Sequence, residues 1–258
     1  MNTNSNVYTI IYSAVIVVIV AAVLAVAAMA FKPMQTANIK AETLSQMMVA
    51  AGLGTMDEFQ EIGNDNVLVR YSENIEEAFT VDLAGNKVGD LKTDKDNIEL
   101  VDNFKPQDVA IKNHGDATLP VYKFKTGATV IPIYGAGLWG PVWGYIALDT
   151  DYCTILGVYF DHSGETPGLG SKIKDDPEFQ AQFIGKSFDL DNAENPFDIL
   201  KGGVPEGNNH AVDAISGSTM TCRGLDAGMD LWIGAYVNYL KAAAAATAGT
   251  EASTVTEE

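Results

Sequence analysis

The sequence predicts an α+β protein: a single N-terminal transmembrane helix, then a mostly antiparallel sheet with helices packed on it. Three observations point there. Residues 10–31, IIYSAVIVVIVAAVLAVAAMAF, hold no charge. Short runs of alternating apolar and polar residues follow, broken by turn residues. Apolar residues at helical spacing fill the stretch after Met220.

The run 10–31 matches the roughly 20 residues a helix needs to cross a bilayer, with Tyr8 and Tyr12 at one edge and Lys32 at the other as interface anchors. Ala28-Met29-Ala30 resembles a signal-peptide cleavage site. The leader MNTNSN, however, lacks Lys and Arg, and the apolar run exceeds the usual ~7–15 residues, so residues 1–33 read as a permanent anchor. Lys32 and Lys40 follow the helix, a weak signal for a cytoplasmic body.

Residues 34–120 read as a membrane-proximal α+β region. Ile39, Leu44, Met47, Met48 and Ala51 fit an amphipathic helix leaving the membrane. Val67-Leu68-Val69 reads as a short strand. Phe79, Val81 and Leu83 alternate with polar residues before the turn Ala84-Gly85-Asn86. Residues 92–108 are polar, a loop with a helical turn.

After Leu119-Pro120 the texture changes, and residues 121–245 read as a second region. Val121, Tyr122 and Phe124 begin a strand, and Thr129 to Tyr134 forms another. Tyr145–Leu148 and Thr154–Phe160 form a hairpin around Asp149-Thr150-Asp151. Asp175–Gly185 is a short helix with Pro177 in its first turn. Leu225, Met229, Trp232, Tyr236, Tyr239 and Leu240 mark a helix of about 25 residues. Residues 246–258 read as a mobile acidic tail.

Composition excludes some functions. The formal net charge is -18 and the chain has only two arginines, Arg70 and Arg223, so nucleic acid is not a partner. Two cysteines, Cys153 and Cys222, are too few for a disulfide framework, and their pairing stays open. Without Cys-x-x-Cys or His-Glu-x-x-His, no metal site is expected from this chain alone.

Three segments carry chemistry. Asp213-Ala214-Ile215-Ser216-Gly217-Ser218-Thr219 lies directly before the last helix, where unpaired N–H groups and the helix dipole favour a phosphate. The plain alternative is that these hydroxyls only cap the helix. His162-Ser163-Gly164-Glu165-Thr166-Pro167-Gly168-Leu169-Gly170 makes a shaped loop able to approach a flat ligand, or simply a tight connection. Gly135-Ala136-Gly137-Leu138-Trp139-Gly140-Pro141-Val142-Trp143-Gly144 offers aromatics that form a slot for a ring system or pack a core. His114, His162 and His210 read as ordinary surface or loop residues.

Together, in this order and behind one anchor, IPIYGAGLWGPVWGYIALD (131–149), YFDHSGETPGLGSKI (159–173) and DAISGSTMT (213–221) closely resemble the C subunits of bacterial sodium-translocating NADH:quinone oxidoreductases. The last segment fits that family's flavinylation motif, Asp-x-x-Ser/Thr-Gly-Ala/Ser-Thr, with Ser218 where Ala is more usual. The resemblance implies FMN bonded through its phosphate to Thr219, with Asp213, Ser216, Gly217 and Ser218 as the surrounding signal. It implies a ring lying against Glu165, Thr166, Gly168, Leu169 and Gly170, in a cavity shaped by Trp139 and Trp143. It also implies a Mg2+-dependent flavin transferase that uses FAD and releases AMP. Residues 121–245 become an FMN-binding domain that relays electrons and has no catalytic side chain. The chain would sit among the other subunits of a complex that oxidises NADH, reduces ubiquinone and exports Na+. Anchored in the lipid of the bacterial inner membrane, it would hold its soluble domain in the periplasm, against the weak Lys32 signal. The rivals are the flavin subunit of the related ferredoxin:NAD+ oxidoreductase and a non-redox, membrane-tethered binding protein.

Overall fold

The computed structural model describes residues 6–254. The chain divides between Glu42 and Thr43 into a helical N-terminal unit and a body. Helix α1 (Asn6–Ala50) runs unbroken through Pro33, where the Thr36 hydroxyl donates to the Lys32 carbonyl at 3.0 Å. Its apolar stretch is long enough to cross a membrane and is not buried in the protein.

The body begins with the last turns of α1, whose Leu44, Met47 and Met48 are fully buried. Helix α2 (Met56–Ile62) starts with a capping box, Thr55 and Glu58 each satisfying the other's backbone N–H. Helix α3 (Asn64–Asn74) corrects the strand expected at Val67-Leu68-Val69. Val67 and Tyr71, four residues apart, are both buried on one helical face, a contact the three-residue apolar run does not reveal.

Strand β1 (Ile75–Val81) precedes the turn expected at Ala84-Gly85-Asn86, and β2 (Lys87–Asp90), which was not anticipated, returns from it to form a hairpin. Helix α4 (Phe104–Lys112) stands where a helical turn was expected. Strands β3 (Leu119–Phe124), β4 (Thr129–Ala136), β5 (Pro141–Leu148) and β6 (Ile155–His162) complete a six-stranded sheet in the order β2-β1-β3-β4-β5-β6, antiparallel at every pair. Helices α5 (Lys172–Asp175) and α6 (Pro177–Ala181) follow, the latter capped by Asp176. Strands β7 (Asp198–Leu200) and β8 (Ala211–Asp213) make a separate parallel pair. Three residues each are too few to show the alternation by which a strand is read from sequence.

Helix α7 (Thr219–Thr254) begins at the expected place, takes in the alanines after Lys241 and continues past residue 246, where a tail was expected. Alanine favours helix over coil. Residues 255–258 of that tail lie outside the described residues.

The position of α7 depends on a divergence in the sheet. Strands β3 and β4 pair only at Tyr122↔Val130 and Lys123↔Thr129, whereas β4 pairs with β5 from Thr129↔Leu148 to Ala136↔Pro141. Helix α7 packs against β4, backbone on backbone. A Cβ on Gly224 would strike the Ala136 carbonyl, and one on Gly228 would lie 2.8 Å from the Tyr134 carbonyl. Farther along, Tyr236 donates its hydroxyl to the Pro120 carbonyl at 2.7 Å. Leu225, Met229, Trp232, Tyr236 and Leu240 are fully buried, and burying each of Leu225, Met229 and Leu240 stabilises by about 1.5–3 kcal/mol.

One side chain on α7 makes stability depend on pH. Asp230 borders a pocket of about 530 Å³ with Leu83, Ile111 and Leu231, and its Oδ1 is buried without a partner among the described residues. Burial, then the charges of Asp226 and Asp198, push its carboxyl up to about 7. Between about pH 4 and 7 the folded chain keeps a proton the unfolded chain has lost, so this contribution to stability declines as pH rises through that window. The full shift corresponds to about 4 kcal/mol. Partial solvent exposure discounts it to about 1 kcal/mol. Urea unfolding of Asp230→Asn should therefore show a gain of about 1 kcal/mol over the parent at about pH 8, shrinking toward zero at about pH 4. An equal difference at both pH values would contradict this account.

Candidate functional site

A buried carboxylate joins three segments of the chain. Glu165 is 5% exposed. Its Oε1 accepts from the Trp139 backbone N–H at 2.8 Å, and its Oε2 accepts from the Thr221 hydroxyl at 2.6 Å. Glu165 thus links the β4–β5 turn, the loop after β6 and the first turn of α7. Gly137 and Gly170 leave room for it: a Cβ on Gly137 would lie 2.5 Å from Oε1, and one on Gly170 would run into Oε2. Both oxygens of Glu165 are thus engaged inside the protein.

The loop is folded by its own backbone. The Thr166 carbonyl accepts from Leu169 N–H at 3.1 Å and from Ser171 N–H at 3.2 Å, and Ser171 Oγ accepts from Gly168 N–H at 3.0 Å. Thr166, Gly168 and Leu169 are exposed at its crest while Gly170 is buried at its base. Leu169, 45% exposed, lies beside Gly217, where a Cβ would come 3.1 Å from Leu169 Cδ2. Gly217 also has φ +82°, a left-handed turn that brings the chain into α7. Trp139 is 70% exposed, and Leu138 and Met220 are exposed with it.

The entry to α7 separates the two readings of its hydroxyls. A capping hydroxyl accepts an N–H two or three residues ahead. Ser218 is 4% exposed, and its Oγ has no partner among the described residues. It therefore does not cap the helix. Its backbone is fixed: Ser218 N–H donates to Ile215 at 3.1 Å, and its carbonyl accepts from Cys222 N–H at 2.9 Å. Behind it the buried Cys222 Sγ accepts from Ile215 N–H at 3.4 Å, and burial raises the thiol's pKa. Cys222 and Cys153 are both free thiols. Thr219 is half-buried, whereas Ser216 and Gly217 are exposed. Among the described residues, no base is hydrogen-bonded to the Thr219 hydroxyl.

Two expected site residues are engaged elsewhere. The indole N–H of Trp143 goes to Gln46 Oε1 at 3.4 Å. Asp213 accepts from Val204 N–H at 2.7 Å and donates its own N–H to Gln182 at 2.9 Å, so its carboxylate secures the loop after β7. Thr221 was not anticipated as the partner of Glu165. It lies two residues past Thr219, and helical spacing alone does not identify which neighbour it meets.

Thr221→Val keeps the side-chain shape but removes a donor from a buried carboxylate. It should cost about 1–3 kcal/mol in urea unfolding, with little change for Thr166→Ala on the exposed crest. Equal stability for both variants would remove Glu165 from its structural role.

Known proteins share this arrangement of segments. The FMN-binding domain family matches residues 137–234, which span all three joined segments. The C subunit of the Na(+)-translocating NADH-quinone reductase of Vibrio anguillarum is 30% identical over 223 residues, 82% of this chain and 84% of that protein. The crystal structure of the corresponding protein from Parabacteroides distasonis superposes with a TM-score of 0.65 at 30% identity, covering 81% of this chain and 96% of that one. The crystal structure of Shewanella oneidensis NqrC gives 0.59 at 29% identity, covering 80% and 99%. With identity sustained along most of both chains and the same fold beneath it, this chain belongs to the family of C subunits of the Na(+)-translocating NADH-quinone reductase.

Proposed function

We propose that the chain is a membrane-anchored electron carrier holding one FMN, joined through its phosphate to Thr219, within a complex that oxidises NADH, reduces quinone and exports Na+. The observation that carries this reading is the orphaned, buried Ser218 hydroxyl at the start of α7. A helix of 36 residues presents free N–H groups and the positive end of its dipole there. An uncapped helix start with a donor hydroxyl beside it suits a phosphate. Family membership and the apolar stretch of α1 agree with a membrane-bound oxidoreductase subunit.

The residues present fit the group. Ser218 Oγ and the first amides of α7 would hold the phosphate. Leu169 and Trp139, exposed on either side of the Glu165 junction, would cover the ring, with Thr166, Gly168 and Gly170 shaping the loop beneath it. FMN, when bound, supplies the electron transfer, and no side chain here is needed for acid–base catalysis. Buried Ser218 is a poor target for modification, whereas the half-buried Thr219 is reachable.

Lacking a bonded base, Thr219 needs a separate transferase. Its Oγ would bond to the FMN phosphorus of FAD as the pyrophosphate P–O bond breaks, with AMP leaving and the hydroxyl proton passing to the Mg2+-dependent transferase. A tether keeps the flavin at high effective concentration where free flavin is scarce, which suits a periplasmic domain on a bacterial inner-membrane anchor.

Purification from native membranes, denaturation in SDS and peptide mass spectrometry test this directly. The expected result is a fluorescent band with FMN less water on the peptide containing Thr219, lost in Thr219→Val. A dark band from a host with the transferase would overturn it.

A further inference from the structure

Asp161 grips both ends of the loop after β6. It is 4% exposed. Its Oδ1 accepts from His162 N–H at 2.7 Å, and His162 Nδ1 in turn accepts from Glu165 N–H at 3.1 Å, so one oxygen fixes the start of the loop. Its Oδ2 accepts from Lys174 Nζ at 2.9 Å, and Lys174 stands on α5, beyond the loop's end. The same oxygen accepts from Gln46 Nε2 at 2.8 Å, on the last turns of α1. Buried Gln46 uses its own oxygen to take the Trp143 indole N–H at 3.4 Å, and Trp143 pairs with Asp161 in register across β5 and β6.

A buried carboxylate is tolerated when its oxygens meet donors in fixed directions, and such networks lock the geometry of what they join. The donors here come from three places: the loop's first residue, the helix after the loop, and α1. None of Asp161, Lys174 and Gln46 belongs to the proposed flavin seat. We infer that Asp161 is a positioning residue for the flavin loop: clamped by Gln46 and Lys174, it sets where Thr166 and Leu169 stand against the ring. The inference rests on the FMN reading for its functional consequence and on geometry alone for the clamp.

Asp161→Asn keeps the size but leaves one acceptor oxygen for three donors. In the full-length chain bearing FMN, amide exchange at residues 163–170 should accelerate about tenfold or more, with amides of β1 and β3 unchanged. The flavin's midpoint potential should shift with it, a readout that a merely structural loss does not move. Gln46→Leu and Lys174→Met should act in the same direction, and Gln46→Leu combined with Asp161→Asn should be less than additive. If Asp161→Asn fails to fold, those two single variants decide on the same readouts. Loop exchange and potential at parental values, or acceleration spread evenly over the sheet, would overturn the inference. Failure of the FMN reading is separately visible: the parent would then carry no flavin, while exchange in that chain would still test the clamp.

Discussion

The site depends on one constraint: the Glu165 carboxylate is buried and must be satisfied within the protein. Leaving a buried charge unpaired costs several kcal/mol, so the chain brings its donors to it. The Trp139 N–H comes from the β4–β5 turn and the Thr221 hydroxyl from the first turn of α7. Once both are placed, the crest from Thr166 to Leu169 is left in the open, with Leu169 beside Gly217. A satisfied interior thus supports an exposed rim.

The fold supplies that constraint by letting two strands part. Because β4 leaves β3 after Val130 and stays with β5, its outer stretch receives α7 at backbone distance. Gly224 and Gly228 permit an approach that any side chain would prevent. The helix start is thereby brought to the turn holding Trp139, and Glu165 closes the junction. Asp161 plays the matching part at the two ends of the same loop, with donors from His162, α1 and α5. Two buried carboxylates, four residues apart in sequence, hold the loop.

Much of this was legible from sequence. Short apolar runs rich in β-branched and aromatic residues marked β1 and the strands from β3 to β6, because turn residues separate them, although β3, β4 and β5 are buried along most of their length. The apolar run gave α1, and Leu225 through Leu240 gave the buried face of α7. The three segments of the site were marked by glycines, aromatics and hydroxyls in an order that resembled a known family. Helix α3 was misread as a strand because Val67-Leu68-Val69 is apolar for too short a span, and only Tyr71 completes the helical face. The pair β7–β8 was invisible at three residues a strand. Side-chain partners were less legible still. Glu165 also joins segments 26 and 56 residues away, partners that its place in the loop did not reveal. Trp143 looked like a wall of the slot, yet its indole bonds to Gln46, 97 residues earlier. Local patterning specifies elements, whereas such contacts follow from how the elements are stacked.

If Thr219 carries FMN, the α7 start holds a phosphate and does not merely begin a helix. The most direct measurement is a crystal structure of the chain purified with its flavin from a host containing the transferase. The account predicts continuous density from Thr219 Oγ to a phosphate whose oxygens lie within hydrogen-bond distance of Ser218 Oγ and the first amides of α7, with the ring beside Leu169 and Trp139. A phosphate turned away from Ser218 and the helix start, or a flavin attached at another residue, would contradict it.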